Sequence, residues 1–160
     1  MHCDLDLPAI QDMAALLALN NAHAVETSFL TADALAALIA TSFRTRIIRP
    51  AGALLIALDQ TAAYDNPNFS WFHHRNPRFV YIDRVIVAGH AQGRGLARAL
   101  YADLCAAAKA AGHSILCCEI NSQPPNPASD AFHAMLSFAE VGRAELPGRN
   151  KTVRYLTLAL

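Results

Sequence analysis

Charge is scarce in this sequence of 160 residues. Only 16% of its side chains are Asp, Glu, Lys or Arg, and 13 acidic against 13 basic residues leave a formal net charge of zero. A neutral surface lacks the long-range field that draws proteins to nucleic acid or anionic membranes, so neither is expected as a main partner, although a local basic pocket fits the total. Long apolar runs are also missing: stretches such as Ala51 to Leu58 are too short to span a bilayer. The alanine-rich segment around Leu104 is interrupted by Arg98, Asp103 and Lys109. The opening Met1-His2-Cys3-Asp4-Leu5-Asp6 has neither the basic start nor the apolar core of a secretion signal, so a cytoplasmic location is expected. The four cysteines (Cys3, Cys105, Cys117 and Cys118) show no CxxC spacing and read as small buried thiols. His73-His74, even with His23, lacks the spacing of metal ligands, and no metal is expected.

The sequence is rich in apolar side chains, 54% of the total, enough for one packed domain over residues 1–160. Leu7-Pro8-Ala9-Ile10 opens a first helix whose Ile10, Met13, Ala14 and Leu17 recur on one face, fading at Asn20-Asn21. A second helix starts after Thr31, a natural N-cap, with Leu35, Leu38 and Ile39 inward. Thr45–Arg49 and Ala53–Leu58 read as strands of a hairpin turned at Pro50-Ala51-Gly52. Gln60 to Arg78 reads as a long aromatic connection, a strand follows over Phe79–Ala88, and a helix over Arg94–Ala111 is stopped by Gly112. Ser114–Ile120 is a strand, Asn121 to Pro127 a rigid loop, and Ala128–Phe138 a short helix. Glu140–Leu146 and Lys151–Leu158 are the last two strands. The order αα, βββ, α, β, α, ββ predicts a mixed α/β sheet.

The most informative junction is Val85-Ile86-Val87-Ala88-Gly89-His90-Ala91-Gln92-Gly93-Arg94-Gly95-Leu96-Ala97, where a strand hands over to a helix. A helix N-terminus carries unsatisfied N–H groups and partial positive charge, and glycines let backbone amides approach an anion. Gly93 and Gly95, with Arg94 and Arg98 beside them, therefore read as a pyrophosphate cradle. It is not a Walker loop, for Gly-Lys-Ser/Thr is absent. Nor is it a dinucleotide fingerprint, because Arg98 stands where the third glycine belongs; this weakens a nucleotide-dependent oxidoreductase.

Gln92-Gly93-Arg94-Gly95-Leu96-Ala97 resembles the acetyl-CoA motif of the GNAT N-acetyltransferase superfamily, Gln/Arg-x-x-Gly-x-Gly/Ala. Asn126-x-x-Ser129-x-x-Phe132-His133-x-x-Leu136-Ser137-Phe138 resembles the superfamily's second signature, with His133 at the usual tyrosine and Ser137 at the usual glycine. The resemblance implies a twisted mixed sheet of about six or seven strands, helices on both faces, splayed centrally at the cofactor. It implies acetyl-CoA or coenzyme A held by Gln92 through Ala97, by the backbone of Val85, Ile86 and Val87, and by Asn126, Ser129 and His133. In that arrangement the Val87 amide polarises the thioester carbonyl. The reaction implied is direct attack by a primary amine of a small molecule, amino acid or peptide N-terminus. Homodimers through the last strand occur among such proteins.

Deprotonating an amine of pKa about 10.4 needs a base. Glu119, near the end of an apolar strand, matches the base of some superfamily members. Asp83 is the rival, and on a regular strand its neighbour Arg84 faces the other way and cannot neutralise it. His133, as imidazolium, is the candidate acid for the departing thiolate. Tyr64, Asn68, Trp71 and Phe72 are expected to wall the acceptor pocket, with Asn21 and Glu26 from the segment between the first two helices. The alternatives to an N-acetyltransferase are a non-catalytic acyl-CoA-binding sensor and an enzyme using a longer acyl chain.

Overall fold

The computed structural model describes residues 4–160, so the expectations placed on Met1, His2 and Cys3 lie outside the described residues. A 3₁₀ turn at Ile10–Asp12 leads into α1 (Met13–Ala22), and α2 (Ala32–Thr41) follows. The buried face of α1 is Leu16, Leu19 and Asn20, while Ile10 is 91% exposed. The expected inward face, counted from Ile10, is thus displaced. A 3₁₀ turn advances by three residues per turn instead of 3.6 and resets the helical phase. Thr31 does cap α2, its hydroxyl oxygen accepting from the Ala34 amide at 3.2 Å, and Leu35 and Leu38 are buried.

Among the described residues the sheet has six strands in the order β1-β2-β3-β4-β6-β5. β1 (Arg44–Ile48) and β2 (Ala53–Asp59) form the expected hairpin. Six consecutive residues of β2, Ala53 to Leu58, are buried, so both faces of the sheet are covered there. β3 (Val80–Val87) runs antiparallel to β2, and β4 (Ile115–Gln123) lies parallel to β3. β5 (Ala139–Leu146) and β6 (Lys151–Ala159) close the sheet, with β6 against β4. β4 runs three residues beyond Ile120, because Asn121 to Gln123 keep pairing with β6. Cys117 and Cys118 point to opposite faces and are both buried.

The long connection after β2 is not all loop. It contains α3 (Pro67–His73), capped by Asn66, whose side-chain oxygen accepts from the amides of Asn68 and Phe69. Between β3 and β4 runs α4 (Leu96–Ala110), burying the expected Leu96, Leu100 and Leu104 together with Tyr101. α5 (Pro127–Met135) follows β4, and Ser137 beyond it takes the left-handed conformation (φ 67°) where the resembled signature has glycine.

Trp71 stacks on Tyr155 of β6, ring centroids 4.1 Å apart, with the Arg75 guanidinium 3.9 Å over its other face. A Cβ on Gly142 would come within 2.5 Å of that indole, which cannot retreat from between its two neighbours. Gly142→Ala should therefore cost about 1–3 kcal/mol by overpacking, measured by urea denaturation.

Candidate functional site

β3 and β4 pair only at Val80–Leu116 and Tyr81–Cys117. Beyond that point β3 continues along β2 as far as Val87–Ala53, while β4 continues along β6 as far as Gln123–Thr152. The two middle strands diverge, and from Ile82 onward the β4-facing backbone edge of β3 has no partner strand among the described residues. A register shift between Ile56 and Ala57 leaves Asp83 as an extra residue on β3, a bulge of the kind that bends a strand and sharpens its twist.

Three adjoining cavities fill the divergence. The first, of about 300 Å³, lies toward α4 and is lined by Val85, Ile86, Val87, Gln92, Ala97 and residues of α5. A middle one lies between Asp83 and Val85 on β3, Cys118 to Asn121 on β4, Tyr101, and Asn126, Ser129 and His133. The third, of about 40 Å³, lies toward the β5–β6 turn and is lined among others by Tyr64, Asn68, Asp83, Glu119 and Arg149. Glu26 and Thr27, from the α1–α2 connection, line all three.

At the first cavity, α4 begins without a side-chain cap, in contrast to α2, α3 and α5. Gly93 and Gly95 both have φ of 74°, and nothing lies within 4 Å of where their Cβ atoms would be. Exposed residues Gln92 to Gly95 surround an open N-terminus whose N–H groups await an acceptor. Leu96 turns its side chain into the core and has only its backbone to offer. Asn126 caps α5, its oxygen accepting from the Ser129 amide at 3.3 Å, and also lines the cleft.

Glu119 stands where the second and third cavities meet. Its Oε2 accepts from the Tyr81 hydroxyl at 2.7 Å and its Oε1 from the Asn68 amide at 3.1 Å. Asn68 is held in turn by the Tyr155 hydroxyl, which donates to its oxygen at 2.9 Å. Burial raises the Glu119 carboxyl to a pKa of about 7, the neighbouring Asp83 pushes the same way, and the Tyr81 and Asn68 hydrogen bonds oppose them.

Asp83 is arranged differently. The Tyr64 hydroxyl donates to one of its oxygens and the Arg84 Nε to the other, each at 2.6 Å. The expectation that Arg84 faces away is overturned. The bulge at Asp83 breaks the alternation of faces and turns both side chains inward, 3% and 2% exposed. Arg84 also donates to the Asn20 oxygen at 2.6 Å, and Asn20 donates to the Ser28 carbonyl, tying the α1–α2 connection to β3.

His133 is buried and bonded at both ring nitrogens, Nε2 to the Tyr101 hydroxyl and Nδ1 to the Ser129 carbonyl, each at 2.8 Å. A carbonyl only accepts, so the ring proton sits on Nδ1 and Tyr101 donates to Nε2. Burial lowers the imidazole's pKa, which makes His133 a neutral ring and not the expected imidazolium.

Of the expected acceptor wall, Tyr64, Asn68 and Glu26 line the cleft. Trp71 and Phe72 do not. As part of α3, Phe72 enters the core at 0% exposure and Trp71 turns onto Tyr155. Asn21 staples the α1–α2 connection by a reciprocal pair with the backbone of Leu30, at 2.9 and 3.0 Å. Sequence reasoning missed Tyr81, Tyr101 and Tyr155. Tyr101 carried a signal, for it continues the buried stripe Leu100, Leu104 and Ala108 and places a hydroxyl on a core face.

Residues 37–138 match the family model described as acetyltransferase (GNAT) family. A comparison with curated protein sequences finds no match. Among solved structures, the ribosomal-protein-alanine N-acetyltransferase from Brucella melitensis is similar, with a TM-score of 0.70 and 22% identity over 98% of this chain and 99% of that one. The phosphinothricin acetyltransferase from Sinorhizobium meliloti in complex with acetyl-CoA has a TM-score of 0.71 and 17% identity over 100% and 89%. YncA from Salmonella typhimurium, with its cofactor acetyl-CoA, has a TM-score of 0.66 and 20% identity over 99% and 94%. At these identities the likeness establishes the shared fold.

Proposed function

This chain belongs to the GNAT acetyltransferase family, and from that premise we propose that it is an acetyl-CoA-dependent N-acetyltransferase acting on a primary amine, as one domain over residues 1–160. The observation that carries the reading is the line of adjoining cavities from the uncapped, glycine-turned start of α4 to the half-neutral carboxyl of Glu119. Acetyl-CoA fits these residues: the N–H groups from Gly93 to Ala97 would hold its pyrophosphate. The unpartnered edge of β3 from Val85 to Val87 would pair with its amide-bearing arm. When bound, it supplies the activated acetyl group.

The chain's residues then handle two protons. Glu119 takes the first from the acceptor ammonium, at an affinity matched to neutral pH. The free amine attacks the acyl carbon, the C–N bond forms, and the C–S bond breaks. Asp83 is less available for this role, because one of its oxygens is already paired with the Arg84 guanidinium. The departing sulfur needs the second proton. Tyr101, positioned by His133, can offer it a hydrogen bond. Burial raises the Tyr101 hydroxyl above its usual range, which makes outright transfer from it unfavourable, so the second proton shed by the attacking nitrogen is relayed to the sulfur through water.

The test is thermal unfolding with acetyl-CoA, CoA and NADH, followed by CoA release in the presence of amines. A ligand at about 100 times its Kd should add about 2.7 kcal/mol. Both CoA species should stabilise and NADH should not. Gly95→Trp should remove most of the CoA increment, since the side chain lands on the anion approach and dislikes a φ of 74°. No stabilisation by CoA would sink the proposal, and stabilisation without turnover of any amine would favour an acyl-CoA sensor.

A further inference from the structure

The third cavity bears on the acceptor. It is about 40 Å³, room for about three waters at about 10–15 Å³ each. Of its 13 lining residues only Leu146 is wholly apolar, so the buried end of an acceptor there is small and polar. Its inner end holds Glu119 and Asp83. Its outer end holds Arg149, within the turn joining β5 to β6, and Lys151, the first residue of β6. Asp83 already has Arg84, and Lys151 directs its ammonium to the Val25 carbonyl at 2.6 Å. Arg149 enters no ion pair among the described residues. A proton-accepting carboxylate at one end and an uncommitted guanidinium at the other make a dipolar slot.

We infer that the acceptor is a free α-amino acid, whose amine meets Glu119 and whose carboxylate is gripped by Arg149 with support from Lys151. This rests on the N-acetyltransferase reading and narrows it. A peptide N-terminus presents a neutral amide carbonyl where the slot offers a cation, and a simple amine presents nothing. The cavity's size favours the same answer, because an amine nitrogen and its adjacent carbon nearly fill it and leave the carboxylate at the outer end. The substrate's own side chain would face the opening along Glu26 and Thr27. In the step itself the α-ammonium gives one proton to Glu119, its nitrogen takes the acetyl group as the C–S bond breaks, its second proton passes through water to the departing thiolate, and the carboxylate is unchanged. Arg149 is therefore a binding and specificity residue.

The experiment compares kcat/KM for the free protein amino acids, their carboxamides and the matching decarboxylated amines, on wild type, Arg149→Gln and Arg149→Lys. A charge-assisted contact of this kind is expected to favour the best acid over its amide by about 10–100-fold. In Arg149→Gln that ratio should collapse toward one, chiefly through KM, and Arg149→Lys should restore part of it. CoA stabilisation should persist in both variants, because Arg149 does not line the cofactor cavity. An amide or amine used as well as the acid would overturn the inference, as would a ratio indifferent to Arg149. Stabilisation by CoA with no free amino acid acetylated would also overturn it while leaving cofactor binding intact. Absence of CoA stabilisation would instead remove the N-acetyltransferase reading on which it rests.

Discussion

Glu119→Gln should lower kcat by about 10²–10⁴ while making the protein more stable at pH 8. The two effects have one origin. Burial holds the Glu119 carboxyl at a pKa of about 7, well above the usual carboxylate range, so the folded protein binds this proton more tightly than the unfolded chain. Stability from the neutral carboxyl is complete below pH about 4.3, and is lost as pH rises through about 7. Above that the fold carries a buried charge with only neutral donors, Tyr81 and Asn68. Glutamine keeps the shape and stays neutral, and should recover about 1–3 kcal/mol at pH 8; the partial exposure of the residue places the gain toward the lower end. Burial lowers the pKa of His133 and His113 and acts oppositely below pH about 6.5, but both are present in wild type and variant and cancel in the comparison. Urea titrations across pH 5–9 would read the stability, and initial rates of CoA release the activity. The wild-type rate should fall on acidification with an apparent pKa near 7, and that limb should vanish in the variant. A loss of less than about tenfold in kcat, with the limb intact, would remove Glu119 from the role of base.

Arg84→Met should be the most destabilising of the substitutions considered, at about 3–5 kcal/mol. The guanidinium is 2% exposed and holds two buried partners, the Asp83 carboxylate and the Asn20 amide oxygen, each at 2.6 Å. Removing it leaves a carboxylate in the core with only the Tyr64 hydroxyl. Adding Asp83→Asn in the same chain removes that stranded charge while preserving the acceptor for Tyr64, and more than half of the lost stability should return. Non-additivity of this size, measured by chemical denaturation of the two single variants and the double, is the signature of a pair. Additive losses would mean that Arg84 acts by packing alone. Because Asn20 also anchors Ser28, the single variant should in addition loosen the connection that carries Glu26 and Thr27 along the cleft.

Much of the frame was legible because it is encoded locally. Thr31 and Asn126 announce their helices by chemistry within three residues, and the β1–β2 hairpin is framed by its turn. The start of α4 could be read as an anion site because two glycines and an unsatisfied helix terminus need no distant partner to explain them. α3 was equally announced, for Asn66-Pro67 repeats the Asn126-Pro127 cap, but the aromatic residues around it suggested a pocket wall instead. Once helical, α3 sends Phe69 and Phe72 into the core and brings Asn68 to Glu119.

The sequence by itself determined the glycine-turned helix start at Gln92–Ala97, the two carboxylates worth weighing as bases, and the mixed order of strands. Those properties depend on side-chain type and short-range spacing. Tertiary structure decided which carboxylate is available. A one-residue bulge turns Arg84 toward Asp83, while Tyr81 and Asn68, 38 and 51 residues from Glu119 along the chain, leave that carboxyl buried among neutral donors. It also decided that His133 is a neutral partner of Tyr101 and that Trp71 stacks away from the cleft. Proton affinity is set by desolvation and by charges a few ångströms away, and neither is defined until strands distant in sequence lie side by side.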